Sequence, residues 1–325
     1  MKNIQADIKS GNFKQVYLLY GEEAYLKQQY KQNLVKALNP DGDTMNFNHY
    51  EGKGIDVKQL IDLCETMPFF AERRVVLLED TGFFKNKCEE LADYMKELPD
   101  YLYLVFAETE VDKRNRMYKA VKACGSIAEF IRQDEKTLMR WAAGILGKAG
   151  KKITQRDMEL LLTKTGTDMG NLRMEMEKLI SYTEGRDVVT AEDIEEICTT
   201  QTTNRIFDMV RAVTEKNQKR ALELYYDLLT LKEPPMRILF LLAKQYRQLL
   251  LAKQFAAAGL AQTEIGSKLG VPGFVVKNIT TCARAYTISE LEQAVKDFVD
   301  AEESVKTGRL EDKLSVELLI IKYSS

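Results

Sequence analysis

The first residues whose types and spacing could serve chemistry begin at Gly21, directly after a short apolar run. In a nucleotide-hydrolysing protein, the loop after the first strand reads Gly-x-x-x-x-Gly-Lys-Ser/Thr, and its backbone N–H groups and lysine hold the phosphates. This chain reads GEEAYLK from Gly21 to Lys27, without the second glycine, the Gly-Lys pair or the hydroxyl for magnesium. Glu22 and Glu23 would also place carboxylates at the start of the next helix, where they repel phosphate. The segment predicts a nucleotide-binding position that lacks its chemistry.

Other candidate chemical groups are sparse. Glu79 and Asp80 follow an apolar strand and could mimic a magnesium-binding acidic pair, but the match is weak without a phosphate loop. His49 is the single histidine, and the five cysteines are dispersed without a Cys-x-x-Cys pair. This pattern predicts reduced, mostly buried thiols and no zinc site. We therefore expect no catalytic residue, no metal and no cofactor.

Two adjacent phenylalanines separate an apolar helix from an apolar strand. The stretch from Cys64 to Asp80 reads CETMPFFAERRVVLLED. Pro68 lacks a backbone donor and disfavours helix in the preceding residue, so Met67 is predicted to end a helix. Phe69 and Phe70 would then lie in a loop, where burying one ring on a partner could contribute roughly 1.5–3 kcal/mol. From position alone, the simpler interpretation is that both rings close the domain core, with partner contact as the alternative.

These residues need a sheet to position them, and the pattern over residues 1–135 predicts one. The predicted strands are Val16–Tyr20, Met45–Tyr50, Val75–Glu79, Tyr101–Ala107 and Ser126–Ile131. The predicted helices between them are 22–38, 56–67, 87–98 and 114–124. Five strands alternating with helices favour a parallel sheet covered on both faces. We predict an α/β domain with the shape of a nucleotide-hydrolysing fold.

A basic segment precedes the last predicted strand. Its cations are Lys113, Arg114, Arg116, Lys119 and Lys122. On a helix, Met117, Val121 and Cys124 would fall on the opposite side from these cations. The ordinary interpretation is a solvated face, and a surface for nucleic acid or another anionic partner is the alternative.

The remainder of the chain is predicted to be helical. We predict a small all-α domain over 136–205 and a second over 206–325, because the apolar residues keep helical spacing and capping residues recur. The segment from Thr263 to Lys277 resembles a helix-turn-helix, which raises a sequence-specific DNA binder as a rival function. Its second helix offers Phe274, Val275 and Val276 rather than side chains that hydrogen-bond to bases, which favours packing inside a helical domain.

Composition limits the remaining classes of function. The chain has 325 residues, 45% hydrophobic and 30% charged, which is typical of a globular protein of two or three domains. Its net charge of −2 disfavours an autonomous tight DNA binder, so any nucleic-acid contact should be local or shared with partners. No apolar run is long enough to cross a membrane, and the N-terminus lacks the apolar core of a signal peptide. We expect a cytoplasmic protein with no membrane partner.

Seven segments together resemble the delta subunits of bacterial DNA polymerase III, the clamp-loader wrench family. They are VYLLYGEEAYL (16–26), MPFFAERRVVLLED (67–80), DKRNRMYKAVKACG (112–125), GTDMGNLRMEMEKL (166–179), RIFDMVRAV (205–213), LLAKQYRQLLLAK (241–253) and AEESVKTG (301–308). Each segment is weak alone, and their order and spacing make the match specific. The resemblance implies a degenerate AAA+/P-loop-like ATPase domain, a helical lid and a helical collar.

The resemblance also implies a function and its residues. Members of this family bind no ATP, and they bind the ring-shaped sliding clamp (the beta subunit) and hold one of its interfaces open. The family's clamp-binding element matches Phe69 and Phe70, with Met67 and Pro68 beside them, although the family commonly has leucine at the position of Phe69. With this resemblance we favour clamp contact for the pair, and Phe70 as the deeper anchor. The DNA-directed DNA polymerase (nucleotidyltransferase) reaction would belong to the holoenzyme, not to this chain.

Partners follow from the same resemblance. The collar would join the other clamp-loader subunits, delta prime and the tau/gamma ATPases, and the assembly would hold primed DNA. The basic residues Lys113, Arg114 and Lys306 are the candidates for DNA contact. Lys306-Thr307-Gly308 matches a family motif to which we assign no role. Two rival functions remain open here, an active ATPase clamp-loader subunit and a helix-turn-helix DNA-binding regulator.

Overall fold

The strands of the N-terminal region assemble as the alternating pattern predicts. In a computed structural model that describes residues 2–200, 202–271 and 273–325, the chain divides into two compact units, 1–133 and 134–325. The strands of the first unit are β1 (Val16–Tyr20), β2 (Phe47–Glu51), β3 (Arg74–Glu79), β4 (Leu102–Glu108) and β5 (Ser126–Glu129). They form one parallel sheet in the order β2-β3-β4-β1-β5. This confirms the predicted five-stranded parallel sheet.

Helix α1 (Lys2–Ser10), which the sequence pattern did not predict, precedes β1. The helices that connect the strands are α2 (Ala24–Leu38), α3 (Val57–Glu65), α4 (Glu89–Tyr94) and α5 (Arg116–Cys124). The three central strands, β1, β3 and β4, are mostly apolar and almost wholly buried, as expected in a parallel sheet. β2 and β5 are the edges, and every residue of β2 is partly buried or exposed. All strand N-termini therefore lie along one edge of the sheet and all C-termini along the other.

The second unit is mostly helical. Its elements are α6 (Glu135–Lys148), β6 (Lys152–Ile153), α7 (Gln155–Thr165), α8 (Met169–Tyr182), β7 (Val188–Val189), α9 (Ala191–Ile197), α10 (Thr202–Thr214), α11 (Gln218–Thr230), α12 (Pro235–Ala257), α13 (Gln262–Leu269), α14 (Gly273–Ala283), α15 (Ile288–Lys306) and α16 (Asp312–Ser324). Capping residues begin and end several of these helices: a Thr190 capping box begins α9, and Gly166 and Gly308 take positive φ after α7 and α15. β6 and β7 form a two-residue parallel pair where we expected no strand.

Two apolar clusters stabilise the second unit. One draws buried residues from 142–198 and the other from 206–320. Helix α7 contacts α10 and α14, and Asn204 Nδ2 donates to the Lys164 carbonyl at 2.9 Å, so the two clusters belong to one compact unit. The division of this region at residue 205 into lid and collar stays a prediction. Across the described residues, every helix is either too short or too polar to cross a membrane.

Candidate functional site

The loop between α3 and β3, residues 66–73, is here called the aromatic loop. Helix α3 ends at Glu65, close to the end predicted from Pro68. Three of the four predicted site residues are exposed: Met67 at 74%, Phe69 at 56% and Phe70 at 94%. The two phenylalanine rings meet edge-to-face with centroids 4.5 Å apart. The rings therefore lie on the surface and do not close the core, which excludes the simpler interpretation from position alone.

The buried side chain of Asn46 fixes the backbone of the aromatic loop. The Phe69 N–H donates to Asn46 Oδ1 at 2.7 Å, and Asn46 Nδ2 donates to the Phe69 carbonyl at 2.8 Å. The Asn46 carbonyl in turn accepts from the Val75 N–H at 2.9 Å, at the start of the β2–β3 pairing. One side-chain amide thus satisfies both polar groups of the Phe69 residue, as a neighbouring strand would.

A second pair of polar residues supports Asn46. The Asp43 carboxylate accepts from Asn46 Nδ2 at 2.5 Å and from the Met45 N–H at 2.8 Å. These hydrogen bonds, that from Asn46 first, hold the pKa of Asp43 below its usual value. Asn39, the C-cap of α2, bonds both the N–H and the carbonyl of Asp43 at 3.0 and 2.9 Å. This chain of hydrogen bonds, from Asn39 through Asp43 and Asn46 to Phe69, connects the aromatic loop to the end of α2.

Arg74 anchors the other end of the aromatic loop. Its buried guanidinium donates to the Thr66 carbonyl at 2.8 Å, to the Met67 carbonyl at 3.3 Å and to Asn48 Oδ1 at 3.2 Å. A guanidinium has five donors in a rigid fork, so it can hold several carbonyls in a fixed arrangement. Arg74 is also the first residue of β3, which places this anchor inside the sheet.

Phe70 has a backbone conformation that bulky side chains rarely take. Its φ is +50°, in the left-handed region, where a side chain costs roughly 1–2 kcal/mol. Strained residues persist where the surrounding structure over-determines them, and they cluster at functional sites. The arrangement presents two apolar rings on a loop that is held from both sides, so little further ordering would be needed if a partner's apolar pocket covered them.

The opposite edge of the sheet holds the position where a nucleotide would bind. A Cβ on Gly21 would lie 2.3 Å from the Phe130 carbonyl oxygen, and that oxygen accepts from the Glu23 N–H at 3.0 Å. Phe130 in turn donates its N–H to the Tyr20 carbonyl at 2.7 Å. Backbone of the segment after β5 therefore occupies the N-terminus of α2, where a phosphate would need free N–H groups.

The charged side chains along that edge have hydrogen-bond or ion-pair partners within the protein. Lys31 Nζ lies 2.6 Å from Glu79, whose other oxygen lies 2.9 Å from His49 Nε2. Lys27 Nζ donates to the Glu108 carbonyl at 2.9 Å, and burial lowers its pKa. Asp80 accepts from the N–H and hydroxyl of Thr109 at 3.0 and 2.8 Å.

Glu108 completes this network. Its buried carboxylate accepts from the Thr81 hydroxyl at 2.6 Å and from the Thr81 N–H at 3.1 Å, while burial raises its pKa. Glu79 and Asp80 do not form a magnesium-binding pair, because Glu79 bonds to Lys31 and His49 while Asp80 bonds to Thr109. Within the described residues, no group of three or more His, Cys, Asp or Glu side chains could hold a metal ion.

The three basic candidates for DNA contact are exposed, and each faces a carboxylate. Lys113 lies 2.9 Å from Glu129, and this hydrogen bond, followed by contact with Tyr20, raises its pKa. Arg114 pairs with Asp112 at 3.1 Å and Lys306 with Glu302 at 2.5 Å. Lys113 and Arg114 belong to the first unit and Lys306 to the second, and their role stays a prediction.

The basic helix differs in part from its prediction. Helix α5 begins at Arg116 with Asn115 as its N-cap, so Lys113 and Arg114 precede the helix instead of lying on its face. Met117 and Val121 are buried as expected, but Cys124 is exposed.

The segment that resembles a helix-turn-helix does form two helices, α13 and α14, with Gly270 in the left-handed conformation between them. Ile265 and Val276 are buried in the larger apolar cluster of the second unit. Pro272 and the side chain of Phe274 lie outside the described residues. The buried face of α14 supports a packing role for this segment.

Sequence reasoning missed the residues that hold the aromatic loop. Asp43 and Asn46 are turn-forming types directly before a strand, and that pattern marks a turn that a side chain could stabilise. Arg74 is a cation at the head of an apolar strand, which is unusual for a residue that is buried. The contact between Asn46 and Phe69 could not be predicted from sequence, because the two residues are 23 positions apart.

Comparison with known proteins agrees with this architecture. Residues 17–130 match the family model for the DNA polymerase III delta subunit, and residues 203–323 match that for its C-terminal domain. The chain is 26% identical over 333 residues to DNA polymerase III subunit delta of Bacillus subtilis (strain 168), covering 98% of this chain and 96% of that protein. It is 22% identical over 276 residues to the probable DNA polymerase III subunit delta of Aquifex aeolicus (strain VF5), covering 81% and 77%.

A solved structure shares the fold. The DNA clamp loader delta protein of Bacillus subtilis superposes with a TM-score of 0.68 at 24% identity, covering 99% of each chain. The sheet, the helical second unit and the two family matches, which together span more than half of the chain, lead to one assignment. The chain belongs to the delta subunits of DNA polymerase III, the clamp-loader family that the sequence pattern indicated.

Proposed function

We propose that this delta subunit binds the sliding clamp through Phe69 and Phe70 and helps to open it. The observation that carries the proposal is the exposed pair of rings on a loop that buried side chains hold in place. Burying each ring in an apolar pocket contributes roughly 1.5–3 kcal/mol before the cost of association. Met67 and Pro68 would extend the contact on one side of the pair. Phe70, the more exposed ring, is the deeper anchor.

Opening would follow from differential binding. A ligand shifts a conformational equilibrium only by the difference in its affinity for the two states. The subunit would bind one clamp interface more tightly in its opened shape, so binding favours the open ring. ATP binding to other subunits would control when the aromatic loop is available.

The proposed role needs no reaction in this chain. The Phe130 carbonyl over the start of α2 and the paired Lys31, Glu79 and His49 support a binding subunit over an ATPase subunit. Polymerisation would be performed by the holoenzyme that contains it. A role in DNA replication would place the protein in the cytoplasm.

The C-terminal helices would join the other clamp-loader subunits, delta prime and the tau/gamma ATPases. Helix α16 buries Val316, Leu319 and Ile320 on one side. It also exposes Leu314, Leu318 and Ile321 at helical spacing on another side. An apolar face without cover supports a protein interface. Lys113, Arg114 and Lys306 remain the candidates for contact with primed DNA in the assembly.

The test is equilibrium binding of the full-length chain to the purified sliding clamp. We expect the Phe69→Ala, Phe70→Ala double variant to bind about a hundredfold more weakly, since two rings would leave the interface. Phe240→Ala is the matched control, because Phe240 is 63% exposed on α12 in the second unit. Circular dichroism would verify that each variant is folded.

The outcomes separate the functions. Equal loss in the Phe240→Ala control would indicate nonspecific apolar adhesion, and undiminished affinity of the double variant would overturn the assignment of the aromatic loop. A wild-type chain that ignores the clamp would overturn the proposal itself. Saturable ATP binding would favour the ATPase alternative, and sequence-specific duplex binding without a clamp would favour the helix-turn-helix regulator.

A further inference from the structure

We infer that Asn46 is a positioning residue for clamp binding, whose side-chain amide holds the Phe69–Phe70 pair in its binding conformation. This inference rests on the proposed function of the aromatic loop. Asn46 is only 3% exposed, so it lies beneath the loop and would not itself touch a partner. Any effect of Asn46 on affinity must therefore pass through the residues that it holds.

The orientation of the Asn46 amide is fixed by Asp43. A carboxylate can only accept hydrogen bonds, so the group 2.5 Å from Asp43 must be the NH₂ of Asn46. The amide oxygen then necessarily faces the Phe69 N–H, at 2.7 Å. The remaining N–H of the amide reaches the Phe69 carbonyl at 2.8 Å. Only a side chain with both a donor and an acceptor can make this set of contacts.

The strain at Phe70 explains why such a device is needed. Phe70 directly follows the held residue and has a φ of +50°. Without the contacts to Phe69, the next residue would relax toward the extended region, which side chains prefer. The edge-to-face arrangement of the two rings would then be lost in most molecules. Apparent affinity falls by the fraction of molecules that keep the binding-competent conformation.

The experiment measures clamp affinity of full-length Asn46→Ala and Asn46→Asp variants. We expect each to bind the clamp about tenfold more weakly, as when roughly one molecule in ten keeps the competent loop. Asn46→Asp keeps the size of the side chain, but it brings a second carboxylate against Asp43 and loses the donor to Phe69. Adding Asp43→Asn to Asn46→Asp restores a donor between these two positions and should recover part of the affinity.

Asn115→Ala is the matched control for lost hydrogen bonds. Asn115 caps α5 and donates to the Asn86 carbonyl at 2.9 Å, and none of its hydrogen bonds reaches the aromatic loop. We expect Asn115→Ala to lower the melting temperature as Asn46→Ala does, while leaving clamp affinity unchanged. In the free protein, the Phe69 amide should exchange with solvent faster in Asn46→Ala, and at the wild-type rate in Asn115→Ala.

A double-mutant cycle separates positioning from other roles. In the Phe69→Ala, Phe70→Ala background, Asn46→Ala should cause no further loss of affinity. A further tenfold loss there would show that Asn46 acts elsewhere and would overturn the inference. If the wild type binds the clamp and Asn46→Ala binds it equally tightly, the inference about Asn46 is overturned and the proposed function stands. Absence of binding by the wild type would overturn the proposed function as well.

Discussion

Phe70 combines two properties that each disfavour a bulky residue: a left-handed backbone and a ring that is 94% exposed. Neither property stabilises the isolated chain, because the backbone is strained and the ring stays in water. Both become useful if the ring enters a partner's pocket, since the loop is already ordered when contact is made. These properties are those that the proposed clamp contact would need, and the contacts of Asn46 and Arg74 hold the loop in this conformation.

Replacing Phe70 should separate stability from binding. Phe70→Gly is expected to be about 1 kcal/mol more stable than Phe70→Ala, because glycine takes positive φ without steric cost. Both variants should lose clamp affinity to a similar extent, since both lack the ring. Urea denaturation and clamp titration would measure the two effects. An alanine variant as stable as the glycine variant would show that the backbone at this position carries no strain.

At the residue scale, sequence predicted the exposed part of the site better than its support. Pro68 marked the end of α3, and the Phe69–Phe70 pair followed from local pattern and from the family resemblance. Exposure of the rings could not be derived, because an apolar side chain in a loop can equally close a core. The hydrogen bonds from Asn46 to Phe69 depend on β2 pairing with β3, which local pattern does not specify.

At the scale of elements, the start of α2 shows how the chain excludes a ligand with its own backbone. Gly21 has a φ of +125° and lies against the Phe130 carbonyl. Glycine is required there both for its conformation and for its missing side chain. Gly21 stands where the first glycine of a phosphate loop would, but here it allows close packing between the end of β1 and the segment after β5.

Three glycine substitutions would test this reading of Gly21. Gly21→Ala should lower the free energy of unfolding by about 3 kcal/mol or more, because its Cβ would collide with backbone and its φ is strained. Gly125→Ala has the collision, 2.3 Å from the Val16 carbonyl oxygen, without positive φ. Gly11→Ala has positive φ in open space and should cost only about 1 kcal/mol. Urea denaturation would rank the three variants by their loss in free energy of unfolding. Equal losses in all three would refute the packing argument.

Elements in which the apolar pattern repeats several times were predicted well, and very short or irregular elements were not. Helix α12 and the central strands follow from apolar spacing over many residues. The pair β6–β7 has two residues in each strand, too few to show any period. Helix α5 begins two residues later than predicted, because the Asn115 side chain caps it at the Met117 N–H.

At the scale of the whole molecule, each compact unit contains its own buried apolar residues. Four cysteines lie within these buried regions, namely Cys64, Cys88, Cys198 and Cys282. Burial raises the pKa of Cys64 and of Cys198 to about 12, so these thiols stay protonated at neutral pH. Cys124 is exposed, although partial burial of its sulfur also raises its pKa.

Alkylation of the native protein should follow this difference. With iodoacetamide at pH 8, we expect Cys124 to react first and the four buried cysteines to stay unmodified until the chain unfolds. Peptide mass spectrometry after timed quenching would give the order, and a sample in concentrated urea, where all five should react, is the control. Early modification of Cys64 or Cys198 in the native protein would contradict the burial described for both units.

Arg74 gives the aromatic loop a mechanical footing in the middle of the sheet. Its guanidinium donates hydrogen bonds to the carbonyls of Thr66 and Met67, and its backbone begins β3, which lies between β2 and β4 in the sheet. A force applied at Phe70 would therefore be transmitted to β3, which is hydrogen-bonded to a neighbouring strand on each side. If the proposed clamp contact is made at Phe70, a force on the ring would reach β3 directly, because Arg74 ties the loop to that strand.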